Sequence, residues 1–245
     1  MREEEYRAMF EVEERLWWYE GMRAITSSML DDSAAALRNG RMLDVGCGTG
    51  FSMMWLRRQF ESNGAFGVDV SEHAIEFWRK RGLDTATVAR AGALPFSANE
   101  FDLVTCFDVV YQLEAPAARE AIAEMNRVLR QGGLLLIREP AYDWLRGSHD
   151  VAVATRHRYT RSELRRLLES SGFAIRRSSY ANTLLFPAAV AHRLLSKGGD
   201  ESDVHDVSGL MNKTLGAALK LEARFLAHTS FPFGLSVIAL AEKSR

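Results

Sequence analysis

The chain has 245 residues, 47% of them hydrophobic, enough to bury a sizeable core without help from disulfides or metals. Its 31 Lys and Arg nearly cancel its 32 Asp and Glu, leaving a net charge of −1, so attraction by bulk charge to nucleic acid, to an anionic membrane or to an acidic partner is excluded. Cys47 and Cys106 lie far apart in sequence, show no metal-ligand spacing, and suit a reducing cytoplasm better than a secreted disulfide scaffold.

The acidic start Arg2-Glu3-Glu4-Glu5 is unlike a signal peptide, and no apolar run is long enough for a membrane span. Tyr6, Met9, Phe10, Glu13 and Trp17 recur at roughly helical spacing and predict an amphipathic helix over 6–30. From Arg41 the texture changes to short apolar runs at 42–45, 65–69, 85–88, 102–107 and 133–137, each followed by polar or helix-forming sequence. That alternation predicts buried parallel strands joined by crossover helices, an α/β doubly wound sheet. Thr160 and Glu163 stand three apart and predict a capping box opening a helix through Leu168. Strand-like sequence returns at 173–180 and 235–240, and between them 184–232 reads as two helices broken at Gly198-Gly199.

The strongest chemical signal is Leu43-Asp44-Val45-Gly46-Cys47-Gly48-Thr49-Gly50, where the first strand should turn into a helix. Glycines there permit positive φ and let backbone amides meet a ligand at a positively polarised helix start. Asp69 closes the second strand, at the distance where an acidic residue accepts from ribose hydroxyls in nucleotide-binding folds. A dinucleotide site expects G-x-G-x-x-G, but the third glycine position holds Phe51. Asp44 in front of the loop would repel pyrophosphate and attract an ammonium group, so a cationic amino-acid tail is the better guest.

These residues resemble the class I S-adenosylmethionine-dependent methyltransferases, block by block: LDVGCGTG at 43–50, GVDVS at 67–71, LPF at 94–96 with FDLV at 101–104, and RVLRQGGLLLI at 127–137. The resemblance implies a Rossmann-like seven-stranded, mostly parallel sheet ending in an antiparallel hairpin, with helical additions. It implies S-adenosyl-L-methionine as cofactor and S-adenosyl-L-homocysteine as product. Asp44 and the Gly46, Gly48 and Gly50 loop would hold the methionine part, Asp69 the ribose, and Ala91, Gly92, Ala93 and Leu94 the adenine, with Cys47, Val70 and Phe107 also on the cofactor side. A finer resemblance, to a bacterial subgroup with an aromatic amino-terminal helix, rests on Glu14-Arg15-Leu16-Trp17-Trp18-Tyr19 and Arg23. It adds Trp18 and Arg23 to the cofactor side, although Leu16 replaces that subgroup's histidine.

Many relatives carry a histidine after the fourth strand, where Gln112 stands here, so a base is sought in the loop after the fifth strand. His149 is the candidate base, with Tyr19 and Tyr111 completing the catalytic set. Gln112, Trp144, Asp150, His157 and Tyr159 are the candidate acceptor-binding residues. The domain expectation is a single unit over 1–245: a helical segment at 1–38, a core at 39–180 and 234–245, and a helical insertion at 181–233 over the substrate side. The functional expectation is methyl transfer to oxygen, ahead of nitrogen, of a small molecule such as a secondary metabolite or sugar-containing intermediate. A cytoplasmic monomer or homodimer without nucleic-acid partner is expected. A non-catalytic cofactor-binding regulatory domain and a nicotinamide-dependent oxidoreductase remain the alternatives. Segments covering the cofactor are expected to order when it binds.

Overall fold

The computed structural model describes residues 3–147, 150, 154–195 and 208–244, with 192–195 described in backbone only. Seven strands, β1 (Arg41–Val45), β2 (Gly64–Asp69), β3 (Ala86–Val88), β4 (Phe101–Phe107), β5 (Leu129–Pro140), β6 (Phe173–Ala181) and β7 (Ser236–Lys243), form one sheet in the order β3-β2-β1-β4-β5-β7-β6. The pairs among β1 to β5 are parallel, while β7 runs antiparallel between β5 and β6. The doubly wound sheet with its carboxyl-terminal antiparallel hairpin is the architecture expected from the apolar runs, each of which lies on a strand.

Strand alternation sends successive side chains to opposite faces, and two cores result. On one face Leu43, Val45, Val104, Cys106, Leu135 and Ile137 pack with helices α6 (Ala115–Val128) and α7 (Arg161–Ser170). On the other, Met42, Leu103, Leu136, Ile238 and Leu240 pack with α2 (Trp17–Leu30), α4 (Phe51–Gln59) and α9 (Gly209–Leu226). Helix α7 begins with the expected capping box, Thr160 and Glu163 each satisfying the other's amide. Two helices lie in the region where they were expected, α8 (Phe186–Leu195) and α9, while Gly198-Gly199 falls outside the described residues. Helix α9 lies across α2 on the sheet face, where its Leu219, Ala223 and Leu226 join the core.

One boundary differs from the sequence reading. The helix expected over 6–30 is two helices, α1 (Glu3–Val12) and α2. The interruption carries its own partners: the Leu16 amide donates to Val12 O at 2.8 Å, and the Trp17 amide donates to Asn212 Oδ1 at 2.7 Å. Arg23 closes the gap by donating to the carbonyls of Glu13 and Glu14 at 2.7 and 2.9 Å. Asn212 is remote from the break in sequence, so periodicity could not reveal its part in it.

The crossing of α2 and α9 depends on Gly21, where an added Cβ would sit 2.3 Å from Leu219 Cδ1. Gly21→Ala should therefore lower stability by about 1–3 kcal/mol through overpacking, outweighing alanine's better helix propensity. Urea unfolding monitored by circular dichroism measures it, and an unchanged midpoint would contradict the close packing.

Candidate functional site

Chain order reverses between β1 and β4, because β2 and β3 extend the sheet one way and β5 the other. A crevice opens at such a switch point beyond the carboxyl ends of the strands. Two segments meet there, the glycine loop after β1 and the turn after β4.

The loop is cinched to β2. Gly46 and Cys47 both donate their amides to Val68 O, at 2.7 and 2.9 Å, and the Gly48 amide donates to Asp69 Oδ2 at 2.9 Å. Gly46, Gly48 and Gly50 have φ of 81°, 53° and 86°. A Cβ at Gly46 would meet Val109 Cγ2 at 2.2 Å, and one at Gly50 would meet Leu83 Cδ1 at 2.3 Å, so side chains are excluded by space as well as by conformation. Trp78 Nε1 donates to Gly48 O at 2.8 Å from helix α5 (Ala74–Arg81).

Asp44 is only 3% exposed. Its carboxylate accepts from Thr105 Oγ1 at 2.7 Å and makes no ion pair among the described residues. Burial first, then the charge of nearby Asp69, pushes its pKa up to about 6. A buried carboxylate without an ion pair costs stability. Asp69, also buried, accepts from Tyr6 and Ser71 through Oδ1. Val70, Gly92 and Ala93 are exposed, and the 90–94 turn is braced where Glu124 accepts from the Leu94 amide at 2.9 Å.

Beyond β4, Asp108 adopts φ 57° and pairs with Arg138, whose guanidinium lies 5.0 Å from the ring centroids of both Trp18 and Phe107. The Val110 and Tyr111 amides donate to the two oxygens of fully buried Glu139, each at 3.0 Å. Gln112 Nε2 donates to the Tyr111 hydroxyl at 2.9 Å. Trp18 and Tyr19 stand edge-on at 5.0 Å, and Trp18 and Phe107 flank the Arg138 guanidinium, while Tyr111 and Gln112 sit on the turn after β4. Burial pushes the phenol pKa of both Tyr19 and Tyr111 up, which makes them hydrogen-bond donors at neutral pH and not bases.

Several expected residues engage their side chains with the protein itself. Arg23 spends its guanidinium on the carbonyls of Glu13 and Glu14 and stacks 4.9 Å from Phe51. Cys47 is a buried core side chain against Gly67. Asp150 is locked to Arg158 by bonds of 2.7 and 3.0 Å, and Tyr159 is a core ring 6% exposed. His157 Nδ1 lies 3.1 Å from Asp143 and its ring stands edge-on to Tyr159, so it straps the loop together. Trp144 alone of the acceptor-loop candidates is largely exposed, at 62%. His149 lies outside the described residues. The sequence reading missed Thr105, Arg138 and Glu139, ordinary strand positions in sequence, and Tyr6 and Glu13, which read as an amphipathic stripe.

Residues 43–137 match the methyltransferase domain family. The ubiquinone/menaquinone biosynthesis C-methyltransferase UbiE of Bordetella parapertussis is 34% identical over 127 residues, 45% of this chain and 48% of that protein. The chain spans about half the length of the first curated relatives it matches. Among solved structures, an S-adenosylmethionine-dependent methyltransferase from Mesorhizobium loti superposes with a TM-score of 0.58 at 15% identity, covering 89% of this chain and 99% of that one. Geranyl diphosphate C-methyltransferase from Streptomyces coelicolor, with S-adenosyl-L-homocysteine bound, gives 0.57 at 17% identity over 87% and 79%. Residues 43–137 thus carry a methyltransferase domain, and in motifs and fold the chain is similar to the class I S-adenosylmethionine-dependent methyltransferases. Their cofactor is S-adenosylmethionine.

Because the folded pKa of Asp44 lies above its unfolded value, its ionised form penalises folding above about pH 6, and the penalty vanishes as pH falls toward the unfolded pKa near 4. The stability of Asp44→Asn relative to the parent should therefore rise by about 3 kcal/mol between pH 4 and pH 7.5. Denaturant titrations at the two pH values measure it, and a pH-independent difference would refute the burial argument.

Proposed function

We propose that the protein transfers the methyl group of S-adenosylmethionine to a small-molecule acceptor, with an oxygen as the accepting atom. The observation that carries the cofactor reading is the buried Asp44 before the glycine loop, a carboxylate held by the Thr105 hydroxyl and without an ion pair among the described residues, which suits a ligand's ammonium group. Asp44 would hold the ammonium of the methionine part, Asp69 the ribose hydroxyls, and Val70 with the 91–94 turn the adenine. When bound, the cofactor supplies an electrophilic methyl on a positively charged sulfur. The protein's task is then to align a nucleophile and exclude water.

What supports an oxygen acceptor is the presence of polar side chains at the switch point, Tyr19 on α2 and Tyr111 and Gln112 on the turn after β4. Tyr19, Tyr111 and Gln112 present hydrogen-bonding groups suited to orienting a hydroxyl, and Glu139 keeps the Tyr111 turn rigid from below. Both tyrosines would remain protonated, so they orient the acceptor without removing its proton. A base is left to His149 or to solvent. Carbon transfer, the activity named for both UbiE and the Streptomyces coelicolor enzyme, and nitrogen transfer are the competing outcomes. They differ in the product, where the new methyl resonance in a carbon-13 spectrum reports its bonded atom directly. A methoxy signal is expected, and a methyl on carbon or nitrogen would overturn the oxygen assignment.

Calorimetric titration should show S-adenosylmethionine binding and no NADH binding, with Asp69→Ala weakening the former. Affinity should fall about tenfold from pH 7.5 to pH 5, because protonating Asp44 removes the charge that attracts the ammonium. Binding of NADH instead would return the site to the nicotinamide alternative.

A further inference from the structure

Helix α1 carries no recognisable motif, yet it holds the groups a cofactor would need. Tyr6 is 2% exposed and its hydroxyl donates to Asp69 Oδ1 at 2.8 Å. The other contacts of that carboxylate are the amides of Ser71 and Gly48, so its lone pairs face protein on every side. Just past α1, Glu13 accepts from the hydroxyl of fully buried Thr49 and from Arg81 Nη2 at 2.8 Å. Between them Met9 lies over the loop, its methyl 2.8 Å from where a Cβ on Gly48 would stand. Phe10 and Tyr6 anchor the helix on Phe77, with ring centroids 5.1 and 6.3 Å away. The glycine loop is thus covered from Cys47 to Gly50, whereas Val70, at 68% exposure, and Gly92 and Ala93 leave the other end open.

We propose that α1 is an intramolecular occupant of the cofactor site and that S-adenosylmethionine binds by exchange for it. The Tyr6 hydroxyl stands in for a ribose hydroxyl on Asp69, and Met9 with Glu13 covers the ground of the methionine part. This rests on the cofactor reading above. A ribose hydroxyl donating to Asp69 Oδ1 must first displace Tyr6, so hydrogen bonds are exchanged one for one. What exchange costs is the packing of Tyr6, Met9 and Phe10 against the loop and α5. The open adenine end, at Val70 and the 91–94 turn, gives the incoming ligand a foothold before the helix leaves.

Exchange and clasping predict opposite signs. A helix that closes over bound cofactor adds contacts, and losing them weakens binding. A helix that competes lowers the competent fraction of the free protein, and losing its contacts strengthens binding, since the apparent Kd is the intrinsic Kd divided by that fraction. Tyr6→Phe removes one hydroxyl and leaves Asp69 its two amide donors, so the variant keeps its packing and folds.

The test is calorimetric titration of S-adenosyl-L-homocysteine into the wild type and Tyr6→Phe, with hydrogen exchange followed across residues 3–13. Exchange predicts about fivefold tighter binding by Tyr6→Phe, the scale of one buried hydrogen bond, and faster amide exchange in α1 when ligand is bound. Weaker binding by Tyr6→Phe, or slower exchange of α1 in the complex, would overturn the proposal in favour of a clasp. Failure of both proteins to bind the ligand would overturn the cofactor reading itself, and the exchange with it.

Discussion

Two carboxylates held almost dry at the ends of neighbouring strands set the terms for the rest of this molecule. Asp44 and Asp69 close β1 and β2, and the charge of Asp69 adds to the burial that raises the Asp44 pKa. Like charges at low solvation repel, so this part of the fold is tolerable only because donors converge on it. Thr105 donates to Asp44 from β4, while Gly48, Ser71 and Tyr6 donate to Asp69 from three other segments. The glycine loop follows from the same demand. Its tight course brings the Gly48 amide onto Asp69, and no side chain fits at Gly46 or Gly50 while it does so.

The far side of the crevice is organised by a second buried acid. Glu139 is fully buried, and its carboxyl is pushed well above the usual range by burial and by Asp108. Its oxygens receive the amides of the turn after β4, which otherwise would lie buried without partners. Arg138, the preceding residue, points to the opposite side and braces Asp108 while stacking near Trp18 and Phe107. One dipeptide at the end of β5 thereby steadies both the turn bearing Tyr111 and the aromatic edge supplied by α2. Buried polar groups of this kind cost stability, and at the carboxyl edge of a doubly wound sheet that cost accompanies function.

In the loop after β5, several residues that read as acceptor ligands are held by partners within the loop. Arg158 donates to both oxygens of Asp150 and to the Ala141 carbonyl, and its amide donates to Asp143. Burial alone would raise the Asp150 pKa, but Arg158 and the Gly147 amide outweigh it and hold the carboxyl below its ordinary range. The loop is stiffened by an internal ion pair. Trp144 is its exposed large apolar side chain among the described residues.

The strands, their parallel order and the glycine loop were legible in the sequence, because each rests on a local rule: short apolar runs make buried strands, and Asp44, Gly46, Gly48, Gly50 and Asp69 keep a spacing that one turn enforces. The capping box at Thr160 and Glu163 was legible for the same reason. What the tertiary structure decided is everything that depends on partners distant in sequence. Asn212 accepts from the Trp17 amide at the break of the amino-terminal helix, Leu226, Ala223 and Leu219 bring α9 onto the sheet face with α2, and Arg158 pairs with Asp150. Tyr6 reaches Asp69 across 63 positions. Periodicity assigned it to a buried stripe but could not say against what, since hydrophobic patterning states which face is covered and only packing names the neighbour.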